Sequence, residues 1–270
     1  QHRQHGGRAA EVAVDLEDPR RVEVQERVGR EVGDEMHEVV PCLRAIAEAG
    51  VHTGDPGAAP AGVTAAGGPT HNCIADLALY HAIPNLTVVV PADAAQCCKV
   101  IRQSFTFQGP MVIRIDRGGS PNVYADNDYE FVIGKAIETL PGTDLTIISA
   151  GSSVYWSLMG AKKLKEQYGL SARVIDMHTV KPIDADMILK CARETGNIFT
   201  VEEHSINGGL GSTVAEVLLE AGFCGKFKRI GLPDEFAVLG DPDEIYKYYG
   251  MDPDGIAKTI SDVMKSPKTL

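Results

Sequence analysis

Residues 1–66 contain no lysine, serine, asparagine, phenylalanine, tyrosine or tryptophan. All seven basic residues there are arginine, and the first lysine of the chain is Lys99. Without aromatic rings the segment lacks the largest contributors to a buried core. Val28, Val32, Met36 and Val39 recur at roughly helical spacing, and Gly54–Ala66 reads as a Gly/Ala/Pro loop. Long apolar runs are missing everywhere. Leu86–Val90 and Leu145–Ala150 are far too short to cross a bilayer. No apolar stretch follows a basic start, so no secretory signal is expected. The six cysteines (Cys42, Cys73, Cys97, Cys98, Cys191, Cys224) include no C-x-x-C pair and no Cys/His cluster with metal-ligand spacing. They read as reduced core thiols of a cytoplasmic protein, with no metal site.

What is present suits a globular protein. The chain has 270 residues, 44% hydrophobic, enough for one large or two ordinary domains with a real core. A net charge of −11 argues against nucleic acid or an anionic membrane as the main partner.

From Gly67 onward strands and helices alternate. Asn72 or Thr70 can cap a helix whose inner face holds Ile74, Leu77, Ala78 and His81. Leu86–Val90 is a continuous apolar run typical of a strand buried on both faces. Asp93 caps the next helix, and Met111–Ile115 is the next strand. After a connector around Asp126–Gly134, strands are expected at 145–150, 172–177, 198–201 and 227–230. Helices are expected at 154–168, 184–193 and 212–220 and in the tail from Pro242. This rhythm predicts parallel βαβ units with right-handed crossovers, in two α/β blocks.

Four stretches are candidates for chemistry. In "GGPTHN", His71 precedes a helix whose exposed amides disfavour imidazolium, so a neutral ring there can both donate and accept. An exposed histidine beside an ordinary cap is the plainer alternative. In "IRIDRGGSP", Arg117 follows a strand at its carboxyl end, where ligands bind in parallel sheets. Its planar guanidinium suits phosphate or sugar oxygens, with a surface ion pair as the alternative. Arg114, inside the strand, is given a structural role. In "TVEEHSINGGLGS", Glu202, Glu203 and His204 are either catalytic or, more commonly for such a cluster, ties for a loop or a subunit contact. The glycines lack the spacing of a dinucleotide or Walker loop. In "AGSSV", Ser152 or Ser153 caps a helix, with no nucleophile elbow.

These pieces occur together and in order. "GGPTHNCIADLALYHAIPNLTVVVPADA", "GPMVIRIDRGGSPNVY", "VIDMHTVKPIDADMI", "VEEHSINGGLGSTVAEVL" and "KRIGLPDEFAVLGDPDEIYKYYGM" resemble the C-terminal half of transketolases, above all the separate C-terminal subunit of enzymes split over two chains. The resemblance runs from Gly67 to about Asp262. It implies a truncated pyrimidine-binding-type α/β block over 67–125. A transketolase C-terminal-type α/β domain with a mainly parallel sheet would follow over 134–270, with 1–66 as an atypical segment. It implies thiamine-diphosphate chemistry that moves a two-carbon ketol unit between sugar phosphates, as in the pentose phosphate pathway. The cofactor supplies the difficult electronics and the protein orients. His71 maps to the histidine contacting the reacting end of the sugar, and Arg117 to the arginine binding the sugar phosphate.

The departures shape the expectation. Gly67 stands where the family often carries an acidic residue. Residues 1–66 show neither the family's activating glutamate nor its stacking aromatic, and the diphosphate and metal motif of the N-terminal half is absent. Cofactor-binding residues are therefore unassigned. The expected protein is a transferase component of a homo- or hetero-oligomer. Its N-terminal partner subunit would hold diphosphate and Mg²⁺, and the isolated chain would be inactive. The composition of 1–66 suggests non-native sequence, such as a reading-frame error, which translation of all frames of the encoding DNA tests. Alternatives are a relative of 1-deoxyxylulose-5-phosphate synthase, a relative of the 2-oxoacid dehydrogenase β-subunit, or a non-catalytic fragment.

Overall fold

A computed structural model describes residues 52–53, 62–63, 72–116, 121–124 and 129–267. The first sheet is built from β1 (His52–Thr53), β2 (Thr87–Val89), β3 (Met111–Ile113) and β7 (Thr179–Lys181), in the order β1-β3-β2-β7. Helices α1 (Asp76–His81) and α2 (Ala94–Ser104) connect its strands. β1, β3 and β2 are parallel, whereas β7 pairs antiparallel with β2.

The second sheet has the order β4-β6-β5-β8-β9, from β4 (Ile137–Leu140), β5 (Leu145–Ser149), β6 (Ala172–Asp176), β8 (Asn197–Ser205) and β9 (Lys226–Leu232). β6, β5, β8 and β9 run parallel, and β4 is an antiparallel edge. The crossovers are α3 (Ser153–Tyr168), α4 (Ala185–Thr195) and α5 (Leu210–Glu220), and α6 (Pro242–Tyr248) and α7 (Pro253–Lys265) close the chain. The α/β class with mainly parallel sheets agrees with the strand–helix rhythm of the sequence.

Alternate residues of each central strand point to opposite faces. Leu145, Ile147, Val174, Phe199 and Val201 pack with Leu164 of α3, Ile245 of α6 and Ile256 and Ile260 of α7. Ile148, Ile175 and Ile198 pack on the other face with Ile188 of α4 and Val214 of α5. That second cluster also takes in Leu77, Leu86, Val88 and Val90, so the two sheets share one apolar core.

The chain passes from one sheet to the other within two residues. β6 ends at Asp176 in the second sheet, and β7 begins at Thr179 as the outer strand of the first. Lys181 of β7 then donates to the carbonyls of His81 at 2.9 Å, of Tyr80 and of Ile83, satisfying the C-terminal end of α1.

Several local expectations change. α1 starts after Ala75 with no side-chain cap, so Asn72 does not cap it, and Thr70 lies outside the described residues. Asp93 does cap α2, accepting from the Gln96 amide at 2.8 Å. Phe105, at the C-terminal end of α2, is 50% exposed, and the helix turns Gln96, Val100, Ile101 and Ser104 inward. Strands β4 and β7 appear in stretches that lack a strand-like pattern.

Upstream of Gly67, β1 pairs with β3 and Gly62 bridges Cys73 through two backbone bonds of 3.0 and 3.1 Å. Val63 is fully buried among the residues packed on α3. The other residues of 1–66 lie outside the described residues, as does Cys42.

Candidate active site

The edge where ligands are expected is the carboxyl end of β2 and β3. His71 and Arg117, the two residues singled out there, both lie outside the described residues. Their flanks do not. Asn72 and Cys73 follow the histidine, and Arg114 to Asp116 lead to the arginine.

Arg114 joins these flanks. Its Nε donates to Asp76 Oδ2 at 2.7 Å, and its Nη2 donates to the carbonyls of Cys73 at 3.1 Å and Glu203 at 3.2 Å. One buried guanidinium thus ties the end of β3, the segment entering α1 and the end of β8. The Asp76 carboxylate raises its pKa further against the opposing effect of burial, so it stays charged. Ser205 adds a backbone bond of 2.8 Å to Ile74, holding β8 against the same segment. The structural role expected for Arg114 is what its contacts describe.

Glu202, Glu203 and His204 lie at the end of β8 and are all buried. Neighbouring strand residues face opposite ways, so the two glutamates serve different elements. Glu202 accepts from the Gly211 amide at 3.0 Å, supplying from β8 the cap that Gly209 cannot give α5. Glu203 accepts from the Val63 amide at 2.7 Å and from Ser152 Oγ at 2.5 Å. Ser152 therefore sits at the cap position of α3 but spends its hydroxyl on Glu203. Of the two readings open for this cluster, these bonds are those of a tie between segments.

Burial pushes Glu202 and Glu203 up to about 8, and Asp116 adds to the rise at Glu203. Burial and the nearby Arg114 lower His204 to about 4, so its ring is neutral. His204 Nδ1 donates to the Ser205 carbonyl at 2.7 Å, and its Nε2 lies 3.8 Å from Asp76 Oδ1.

A second polar cluster joins the sheets on the other side of this edge. Asp93 Oδ2 accepts from the amides of Val123 and Tyr124, each at 2.9 Å. Asp176 Oδ2 accepts from Tyr124 Oη at 2.6 Å and Gln96 Nε2 at 2.7 Å. Tyr124 stacks on Tyr129 with ring centroids 4.1 Å apart, and Lys99 Nζ lies 4.3 Å from the centre of the Tyr129 ring. Burial raises Asp176 to about 7. Sequence reading missed this cluster. Its one signal was an aspartate closing the apolar run "VID", where a buried carboxyl requires donors.

Among the described residues no group of three or more His, Cys, Asp and Glu could hold a metal ion, and no helix is long and apolar enough to cross a membrane. The described cysteines, Cys73, Cys97, Cys98, Cys191 and Cys224, form no disulfide.

Comparison with known proteins covers both halves. Residues 57–121 match the model of the transketolase pyrimidine binding domain, and residues 134–256 that of the transketolase C-terminal domain. The chain is similar to one of the subunits of an apulose-4-phosphate transketolase of Phocaeicola vulgatus, 43% identical over 198 residues, covering 73% of this chain and 62% of that protein. It is also similar to a 1-deoxy-D-xylulose-5-phosphate synthase of Geobacter sulfurreducens, 36% identical over 198 residues, covering 73% of this chain and 31% of the synthase. Among solved structures it resembles a split-gene transketolase described as an inactive beta4 tetramer. That match has a TM-score of 0.69 and 36% identity, covering 76% of this chain and 65% of the other. The chain thus spans less than two thirds of the length of these relatives.

Proposed function

Because this chain belongs to the transketolase family, we propose that it is the C-terminal component of a split transketolase, working with an N-terminal partner chain to move a two-carbon ketol unit between sugar phosphates. The observation that carries the reading is the ordered presence of both domain types in a single chain similar to a transketolase subunit. The pyrimidine-type block would span 67–125 and the C-terminal block 134–270. The upstream match from residue 57 and the burial of Val63 favour an earlier start for the first block.

In this reading thiamine diphosphate makes the carbon–carbon cleavage accessible, and the partner holds its diphosphate and metal. Among the described residues of this chain no group of three or more His, Cys, Asp and Glu could hold a metal ion. This chain's part is orientation. His71 contacts the reacting end of the sugar and Arg117 grips the phosphate at the far end, where a bidentate clamp fixes the carbonyl for attack. Arg114 ties the described flanks of these two residues, since it bonds the Cys73 carbonyl, two residues after His71, and itself stands three residues before Arg117. The protein is read as cytoplasmic and oligomeric.

The test is reconstitution. The chain is mixed with its N-terminal partner, thiamine diphosphate and Mg²⁺, and ketol transfer is followed with a panel of ketose and aldose phosphates. Transfer above the background of either chain alone is expected. Its absence across the panel, with both chains folded, overturns the reading. The similarity to the Geobacter synthase supports a second reading, a synthase-type condensation with pyruvate as donor. Turnover of pyruvate in place of ketose phosphates would select it.

A further inference from the structure

The loop between β9 and α6 holds large apolar side chains out of the core on a firm support. Phe236 is 90% exposed, more than any other large apolar residue among those described, and Leu239 and Tyr248 are 74% and 67% exposed. The residues between them anchor the segment. Ala237, Ile245 and Tyr246 are buried, and Val238 and Tyr249 pack against the core on the α3 and α7 side of the second sheet. The Val238 amide donates to Tyr249 Oη at 3.1 Å, and the Tyr249 ring meets the Tyr248 ring edge-on with centroids 5.0 Å apart. Tyr249 thus ties the loop that carries Phe236 and Leu239 to the helix end that carries Tyr248. Apolar side chains exposed on a fixed support and rimmed by polar residues mark protein contacts, because little freedom is left to lose on binding.

The flanks select the partner. From Pro233 to Tyr249 there are five acids, Asp234, Glu235, Asp241, Asp243 and Glu244, against Lys247 alone. All five acids are exposed. Two copies meeting through this face would set like charges against one another, on chains that each carry −11. A surface that covers these side chains must instead bring lysine or arginine to their edge.

Position points the same way. α6 backs onto the ties of the candidate site, since Tyr246 Oη lies 3.4 Å from Ser152 Oγ, which donates to Glu203. β9 ends beside β8, with the Ile206 amide donating to the Leu232 carbonyl at 2.9 Å. The exposed loop therefore flanks the carboxyl edge of the second sheet, the edge that a completing subunit has to reach.

We propose that this face is a docking surface for the N-terminal partner chain, which covers Phe236, Leu239 and Tyr248 with an apolar socket rimmed by lysine and arginine. The inference rests on the reading of this chain as one component of a split transketolase, and it adds which residues grip the partner.

Binding of the full chain to the N-terminal chain is measured by surface plasmon resonance at low and high salt. Phe236→Ser and Leu239→Ser are expected to weaken it by about thirtyfold and about tenfold, the range for anchoring side chains. Leu219 is equally exposed on α5, across the second sheet, and Leu219→Ser should bind as the parent does. The double change Asp234→Asn with Asp243→Asn should slow association by about fivefold at low salt and flatten its dependence on salt. Melting midpoints of all variants should stay at the parent's value, because the altered side chains are exposed. Sedimentation of the chain alone runs beside these. Parental affinity in both serine variants overturns the docking surface and leaves the two-chain reading standing. Association that does not change with salt overturns the basic rim. No binding by the parent, with both chains folded, overturns the two-chain reading and the docking surface with it. A self-associated chain that Phe236→Ser dissociates would assign the face to a second copy and overturn the partner assignment.

Discussion

Arg114 at the end of β3 and Asp76 at the start of α1 meet at 2.7 Å with side chains only 5% and 10% exposed. Such a pair is costly to bury, and costlier still to leave half made. Arg114→Met should therefore destabilise the protein by about 3–5 kcal/mol, by stranding Asp76 and freeing the carbonyls of Cys73 and Glu203. The double change Arg114→Met with Asp76→Asn should recover part of that loss. Urea unfolding of the parent and the two variants measures it, and a loss under about 1 kcal/mol in the single variant would place the pair with ordinary surface bridges.

Gly209 and Gly211 are required by the closeness of α5 to β8. A methyl at Gly211 would come 2.6 Å from Thr200 Oγ1 and 2.7 Å from Glu202 Oε1, and one at Gly209 would come 2.6 Å from His204 Nδ1. Each neighbour is buried and cannot withdraw cheaply. Gly209→Ala and Gly211→Ala should each cost about 1–3 kcal/mol. Thermal melts check this, and an unchanged midpoint in either would show that α5 can slide away from β8.

Stability should fall from pH 6.5 to above pH 8. Asp176 at about 7 and Glu202 and Glu203 at about 8 titrate above their unfolded values, so the native state binds more protons than the unfolded chain across that window. Between about pH 4 and 6.5 the lowered His178 and His204 act in the opposite sense, because the unfolded chain then holds the extra protons. Above pH 6.5 the unfolded histidines are neutral and the raised carboxyls set the direction. Melting midpoints should decline across pH 6.5–8.5, and Glu202→Gln should flatten the decline. A midpoint that rises over this range contradicts the assignment.

Lys181 carries the C-terminal end of α1 on a single ammonium group. Lys181→Met should release the carbonyls of Tyr80, His81 and Ile83 and cost about 1.5–3 kcal/mol, the range for bonds to a charged group. Hydrogen exchange should accelerate at Leu79–His81 while α2 keeps its protection. Equal acceleration in both helices would point to a global rather than local loss.

The parts of the fold that could be read from the chain are those whose burial is uniform. β5 is apolar or small throughout because both faces are covered, and its pattern announces it. Asp93 and the helix starts at Pro242 and Pro253 follow from local capping chemistry. β7 was illegible, since "TVK" owes its strand conformation to β2, which is remote in sequence. Tertiary donors also hid the roles of the buried acids. Nothing near Glu202 in the chain announces that it caps α5, and nothing near Ser152 shows that its hydroxyl turns from its own helix to Glu203. Spacing placed Arg114 inside a strand, whereas β3 ends one residue before it, and only the fold shows Asp76 as its partner, 38 residues away. His71 and Arg117 rest on the motifs that contain them.

The crossing of the chain from β6 to β7 makes the two halves poor candidates for separate expression. A fragment ending in the connector before Gly134 would take β2 but leave behind the strand that covers it. β2 would then present a bare row of amides and carbonyls flanked by Val88 and Val89, a template for pairing with another copy. Such a fragment should precipitate rather than fold. Swapping this block between family members would succeed only with a junction placed after Lys181, so that the borrowed sheet arrives with its own edge.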